Sequence, residues 1–460
     1  MQITKRIPMR KLLFLMILGF ALASCQQAPK SLKTQLEALP SATVDSAEVD
    51  TTLFSEAYDL YFTQKTDHFD PGSPEFKQRV LVGHAGFDRP TVVVLEGYSI
   101  YSGRVTELAK LLNANQVVIE HRFFKDSRPD SIPWDKLNIR QAAADQHKII
   151  KALKTIYPGK WISTGISKGG QTTVYHRRFY PQDVDVSVPY VAPINTSDEE
   201  PAVYEFLENV GTAACREKIR DFQHRLFQKK DQILPLLKDY AEEKGYTFRM
   251  GIEKAYNYNV MEYEFAFWQW GQLCDNIPEK GSNPETMFKH WIGTAPIDFF
   301  AEEGIDPIRP FFYQAMTEIG MYGYDITPFK QYLDDTINIT FDFTSPEGVD
   351  YTFKPEVLED IHRWLRDSSR NMLFIYGEYD AWSASAVEPS GKTNIKVFTN
   401  PWGNHTTRIR HFPPEMQDSI VSTLESWLDM EIEGFVKKEV PDTSGGSSSQ
   451  EEANIPFQIL

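Results

Sequence analysis

The sequence predicts an α/β protein built on a mostly parallel sheet, with a large, mainly helical insertion set into it. Three observations carry this. Short β-rich runs alternate with amphipathic helical patterns up to about residue 195, long helical stretches follow, and two strands with a closing helix return after about residue 365. Strands that alternate with helices pair in parallel, because each crossover brings the chain back to start from the same end of the sheet. At 460 residues and 41% apolar composition the chain buries a large core, which excludes a wholly disordered protein. Its 9 Trp, 21 Tyr and 30 Phe suit a globular body with a sizeable pocket.

Taken in order, the chain begins with Lys5, Arg6, Arg10 and Lys11, followed by an apolar run over 12–22 that is too short to span a bilayer comfortably. This is the pattern of an export signal. It ends in Leu22-Ala23-Ser24-Cys25, similar to the bacterial lipobox, in which Cys25 takes a diacylglycerol and becomes the first mature residue. Residues 1–24 are therefore expected to be removed, leaving a body held to the membrane by a lipid on Cys25. Gln26, rather than Asp, after that cysteine favours the outer membrane by analogy with other lipoproteins. No later stretch reaches about 18 consecutive apolar residues. Loss of four basic residues takes the net charge from -16 to about -20, and no basic stripe offsets it, so nucleic acid is excluded as a partner. With Cys25 lipidated, Cys215 and Cys274 are left to pair in an oxidising compartment, two separate buried thiols being the alternative.

Residues 25–52, rich in Ser, Ala, Thr and acids, read as a flexible tether. Strand signals at 80–82, 91–95, 116–119 and 161–164 alternate with helical patterns at 105–113 and 139–156, giving a first core segment over 53–195. Amphipathic stretches at 217–243 and 357–368 assign 196–365 to a helical cap. Strands at 372–376 and 395–398 and a helix over 415–430 complete the core over 366–438. The run PDTSGGSSSQEEAN opens a tail, 439–460, expected to be disordered.

Residues 160–181 read KWISTGISKGGQTTVYHRRFYP. A strand runs into Gly165-Ile166-Ser167-Lys168-Gly169, and a helix continues to Tyr180 and stops at Pro181. This is a G-x-S-x-G elbow in its strand-turn-helix context, with small residues beside the serine and helix N–H groups aimed at the reacting oxygen. A Gly-Ser turn that merely starts a helix carries the same letters, so partners decide. A serine hydroxyl needs a base, and the base needs an acid to fix its tautomer. In the α/β-hydrolase fold these arrive as Ser, acid, His, each in a loop after a strand. MLFIYGEYDAW places Asp380 after one strand, and IKVFTNPWGNH places His405 after the next. Glu378 is a rival acid nearer the strand end, and His411 a rival base.

The candidate triad is thus Ser167, Asp380 and His405 in an α/β-hydrolase fold with a helical cap. An oxyanion hole needs the Lys168 N–H and a second donor, for which VVVLEGYSIYSG offers Gly97 and Tyr98, through backbone or the tyrosine hydroxyl. The Lys168 side chain is expected in solvent. There is no H-E-x-x-H, paired C-x-x-C or G-x-x-x-x-G-K-[ST], so neither metal nor cofactor is expected.

These segments together resemble the bacterial secreted peptidases of family S37, the PS-10 type, and more distantly the S28 serine peptidases that act on proline-containing peptides. The matching stretches are LEGY, EHRFF, GISKGG, HRRFYP, FWQWG, GEYDAW and the loop ending Asn404-His405. The resemblance implies an α/β-hydrolase core, a helical cap, and removal of short peptides, of two or three residues, from a free N-terminus. Binding the substrate ammonium calls for a carboxylate at a fixed distance from the nucleophile. The candidates are Asp275 and Glu262 or Glu264, with Glu264 favoured because helical spacing puts it on the face of Trp268. Glu120 is a further candidate, or else pairs with Arg122. Trp268 and Trp382 are candidate substrate-lining residues. Where the S28 elbow has an aromatic after the serine this chain has Lys168, so S28 specificity is not carried over. Esters on the same scaffold, and a non-catalytic surface lipoprotein that binds peptide or glycan, are the alternatives. The sequence names no oligomeric state.

Overall fold

The computed structural model describes residues 31–334 and 340–432. The expected signal peptide, Cys25 and the tail 439–460 lie outside the described residues. The strands are β1 (Ala42–Ser46), β2 (Glu56–Lys65), β3 (Glu75–His84), β4 (Thr91–Leu95), β5 (Asn115–Ile119), β6 (Trp161–Ile166), β7 (Val186–Tyr190), β8 (Leu373–Gly377) and β9 (Lys396–Asn400). They form one sheet in the order β1-β2-β3-β5-β4-β6-β7-β8-β9. The first three strands and the β3–β5 pair are antiparallel, and every pair from β5 to β9 is parallel.

Burial explains the difference. β4, β5, β7 and β8 are buried at every position, as strands covered on both faces must be, whereas β3 alternates along most of its length. Period-two alternation divides the valines of β4 between two cores. Val92 and Val94 join Leu108, Ile420 and Leu424 on one face, while Val93 and Leu95 join Ile149, Ile150 and Leu153 on the other. The covering helices are α1 (Leu32–Glu37), α2 (Glu107–Leu111), α3 (Ile139–Leu153) and α4 (Lys168–Phe179). The topology is that of an α/β-hydrolase.

Between β7 and β8 the chain leaves the sheet as α5 (Pro201–Asn209), α6 (Ala213–Gln228), α7 (Lys230–Lys244), α8 (Ile252–Gln269), α9 (Pro284–Thr294), α10 (Glu302–Ile305) and α11 (Arg309–Gln314). Phe222, Tyr256, Tyr263 and Trp291 pack at the centre of this cap. A disulfide joins Cys215 to Cys274, with Cα atoms 5.6 Å apart. Next comes α12 (Pro355–Asp367), with α13 (Pro414–Leu428) closing the described fold. The pair Arg178 and Asp360, 3.0 Å apart, ties α12 to α4, while Ile361 and Leu365 join the same apolar cluster as the cap.

The tether expected over 25–52 is corrected from residue 31 onward. Leu32, Leu36 and Leu39 are buried against Leu60 and Phe62, and β1 pairs with β2 along its whole length. Burying three leucines is worth roughly 1.5–3 kcal/mol each, which holds a six-residue helix that could not persist alone.

Candidate active site

The elbow is built by small residues. Ser167 sits between β6 and α4 with φ 58° and ψ -123°, a conformation that side-chain-bearing residues avoid. Its N–H donates to the Tyr190 carbonyl at 2.9 Å and its carbonyl accepts the Gln171 N–H at 3.0 Å, which pins the turn from both sides. A Cβ on Gly165 would run into the backbone of Gly169, and one on Gly170 would come within 2.7 Å of Ala192. The helix could not start this close to the strand with larger residues. Ser167 remains 9% exposed at the head of α4.

Asp380 and His405 come from the loops after β8 and β9. Gly377 lets the loops touch, since a Cβ there would lie 2.6 Å from Gly403. The His405 Nδ1 lies 2.7 Å from the Asp380 Oδ2, both residues being fully buried, and Asp380 Oδ1 accepts the Trp382 N–H at 3.1 Å. An acceptor at Nδ1 fixes the proton there and leaves Nε2 as the basic nitrogen. That Nε2 is buried and makes no hydrogen bond among the described residues. The cap closes on this loop: the His405 N–H donates to the Gln269 carbonyl at the end of α8 at 2.9 Å, and the Trp270 ring meets the imidazole edge-on. The rivals are occupied elsewhere. Glu378 is exposed and accepts the Trp402 N–H at 2.8 Å, and exposed His411 accepts the Arg408 N–H at 3.1 Å.

Opposite the elbow lies the loop after β4. A Cβ on Gly97 would come within 2.6 Å of Gly169 N and of Lys168, so the loop can rest on the first turn of α4 only as glycine. The Tyr98 hydroxyl lies near the Ser167 side chain, and burial pushes that phenol well above its usual range, with the nearby serine opposing. Lys168, expected in solvent, is corrected: it is 3% exposed, and its Nζ donates to the Gly97 carbonyl at 2.6 Å. The stem folds inward because the aromatic faces of Tyr98 and Phe124 lie beside it, 5.7 and 5.1 Å from the ammonium.

The carboxylates proposed for a substrate ammonium separate clearly. Asp275 has a fully exposed side chain 3.9 Å from Lys218, so it offers no enclosed site. Glu120 is fully buried, with one oxygen accepting the Ile100 N–H at 2.9 Å and the other the Ser127 hydroxyl at 2.7 Å. Nor does Glu120 pair with Arg122, whose guanidinium grips Asp145 at 2.6 and 3.0 Å. The EHRFF segment is thus a structural lock between the β5 loop and α3. Glu262 accepts the Tyr322 and Tyr324 hydroxyls at 2.8 and 2.6 Å. Of these four, Glu264 faces open space: it lines a cavity of about 320 Å³ with Tyr204, Arg220, Phe265, Tyr324 and Asp325, and its Oε1 has no hydrogen-bond partner among the described residues. Burial raises its carboxyl to about 7, with Arg220 opposing.

Trp268 is 3% exposed, packed over Gly211 and against Tyr379, and does not line that cavity. It joins cap to core rather than offering a surface to substrate. Trp382 is partly exposed beside Asp380 and meets Phe265 and Tyr322 edge-on at 5.1 and 5.2 Å, so it connects the triad region to the cavity wall. Tyr322 and Tyr324 escape sequence reasoning, because the carboxylate they serve lies about sixty residues upstream. Among the described residues no group of three or more His, Cys, Asp or Glu is placed to hold a metal ion.

Comparison with known proteins gives this geometry a family. The model of the PS-10 peptidase S37 family matches residues 29–439. A prolyl tri/tetrapeptidyl aminopeptidase of Streptomyces mobaraensis is 33% identical over 390 residues, covering 83% of this chain and 82% of that protein. The lysosomal Pro-X carboxypeptidase of Bos taurus is 25% identical over 422 residues, covering 76% and 82%. Among solved structures, a proline iminopeptidase of Mycobacterium smegmatis covers 80% of this chain and 98% of its own at 13% identity and a TM-score of 0.38. The chain belongs to the S37 family of PS-10 peptidases and is an aminopeptidase-like serine peptidase.

Proposed function

We propose that the protein is an exported, lipid-anchored aminopeptidase that releases short peptides, of two or three residues, from free N-termini through an acyl-enzyme on Ser167. The Ser167 hydroxyl attacks the scissile carbonyl as His405 Nε2 takes its proton. The carbonyl oxygen gains the charge and is stabilised by the Lys168 N–H and by Tyr98. His405 then gives the proton to the leaving amine, and the C–N bond breaks. Water, deprotonated by the same imidazole, releases the peptide and restores the hydroxyl. Asp380 holds the tautomer throughout.

The observation that carries the aminopeptidase reading is Glu264, an unpartnered carboxylate facing a cavity whose wall, through Phe265, touches Trp382 beside Asp380. An ammonium there would ionise the carboxyl that burial keeps protonated. Glu264 lies five residues before Gln269, whose carbonyl holds His405, a rise of about 7.5 Å along α8. An extended peptide covers that in two to three residues at about 3.3 Å each. Similarity to the prolyl tri/tetrapeptidyl aminopeptidase of Streptomyces mobaraensis supports a preference for proline before the cut. Cys25 in its lipobox-like context supports anchoring at the outer membrane. A Cys25→Ala variant that stays in the membrane fraction would contradict it.

The test compares free-N-terminus peptides, N-acetylated peptides and simple acyl esters, with product masses read by mass spectrometry. Di- or tripeptides released from free N-termini alone are expected. Activity confined to esters would overturn the proposal in favour of an esterase, and binding without turnover would favour a non-catalytic role.

A further inference from the structure

Lys168 is an unusual residue to bury. Its backbone opens α4, so its N–H is among those a helix leaves without an intrahelical partner. Its side chain turns back beneath the neighbouring loop, where burial pushes the amine well below its usual range. Among the described residues no carboxylate forms an ion pair with it, and its Nζ makes the 2.6 Å bond to the Gly97 carbonyl. An uncompensated buried amine is costly, and a methionine of similar length would pack there without that cost. The fold does not need this lysine for its core.

The contact bears on the second half of the oxyanion hole. A trans peptide unit is planar, with its C=O and N–H pointing in opposite directions. A donor held on the Gly97 oxygen therefore fixes the direction of the Tyr98 N–H. The next carbonyl, that of Tyr98, accepts the His121 N–H at 3.0 Å, so two successive peptide units of this loop are held by donors from neighbouring segments. His121 is itself buried, and burial, with the neighbouring Lys168 acting in the same direction, pushes its imidazole well below its usual range. The Lys168 Nζ also lies over the Tyr98 ring, 5.7 Å from its centroid.

We propose that the Lys168 side chain is a positioning residue for oxyanion stabilisation. Its Nζ holds the Gly97–Tyr98 peptide unit and the Tyr98 ring against Ser167, so that one residue supplies the first donor from its backbone and sets the second with its side chain. The inference rests on the Ser167 reading of the site, and its test is separable from that reading. Ser167→Ala abolishes labelling altogether, whereas a Lys168 variant keeps the nucleophile.

The experiment measures kcat, KM and affinity for a peptide boronate, a tetrahedral mimic, in wild type, Lys168→Met, Tyr98→Phe and the double variant. Full loss of one oxyanion donor lowers kcat by about 10²–10³-fold. Lys168→Met, which leaves the donor present but unguided, is expected to lower kcat by about 10–100-fold and boronate affinity in parallel. KM should stay within a factor of about two. Because Tyr98→Phe keeps the backbone N–H that the lysine orients, Lys168→Met should still lower kcat in the Tyr98→Phe background. Unchanged kcat in Lys168→Met, or a change confined to KM, would overturn the proposal. Should the methionine variant fail to fold, Lys168→Gln, too short to reach the Gly97 carbonyl, gives the same comparison.

Discussion

Replacing Glu264 with Gln keeps the shape of the side chain and removes its ability to ionise. In the folded protein this carboxyl is raised from 4.5 to about 7, chiefly by burial. The sign of the effect on stability follows. Below pH 4.5 the group is protonated in both folded and unfolded chains and adds nothing. As pH rises from there, only the unfolded chain ionises freely, and the penalty grows until pH passes about 7. A shift of this size corresponds to roughly 3 kcal/mol on the plateau. Glu264→Gln is therefore expected to raise the urea midpoint at pH 8 by an amount corresponding to ~2–3 kcal/mol, and by little at pH 5. The same variant should lose a charge-assisted bond to the substrate ammonium, worth about 1.5–3 kcal/mol, or about 10–150-fold in kcat/KM for free-N-terminus peptides. Hydrolysis of N-acetylated peptides, however slow, should not change. Wild-type kcat/KM should include a component that declines as pH falls through about 7, absent in the variant. A Glu264→Gln enzyme with full activity on free amines would refute ammonium binding. A stability gain equal at pH 5 and pH 8 would refute the account of its burial.

Two further outcomes follow from the same geometry. Asp380→Asn should preserve the bond from the Trp382 N–H but present an amide to His405, favouring the wrong tautomer. We expect kcat to fall by about 10⁴-fold with KM nearly constant in steady-state assays, and a loss below tenfold would show that Asp380 does not orient the base. Cys215→Ser with Cys274→Ser opens a bridge between residues separated by 59 positions, which in the chain-entropy model stabilises by up to ~4 kcal/mol. The denaturant midpoint should drop and cap helices should exchange amide hydrogens faster, whereas an unchanged midpoint would show that the bridge does not hold the cap.

The parts of this molecule that sequence makes readable are those whose cause is local. β4 and β8 announce themselves as apolar runs and β6 as a short β-rich one, and Ser167, Asp380 and His405 can each be named from a strand followed by a few loop residues. The N-terminal segment hides its structure because three leucines at 32, 36 and 39 are diluted among Ser, Thr and acids, and their burial depends on Leu60 and Phe62. The stretch over 217–243 reads as one helix, yet the chain turns at Lys229 between α6 and α7. The acids could not be ranked from sequence. Glu120, Glu262 and Glu264 differ only in what faces them, and Ser127, Tyr322 and the open cavity are brought there by the tertiary fold. The inward course of Lys168 has the same origin, since its acceptor, Gly97, lies 71 residues upstream.

The proposed chemistry stands or falls with Ser167 as the nucleophile of a covalent mechanism. The most direct measurement is intact-protein and peptide mass spectrometry after exposure to a fluorophosphonate, with peptide turnover followed in parallel. One adduct per chain is expected, located on Ser167 and appearing at the rate at which peptidase activity is lost, with neither adduct nor activity in a folded Ser167→Ala variant. An adduct on another residue, or peptide hydrolysis that survives in Ser167→Ala, would contradict it.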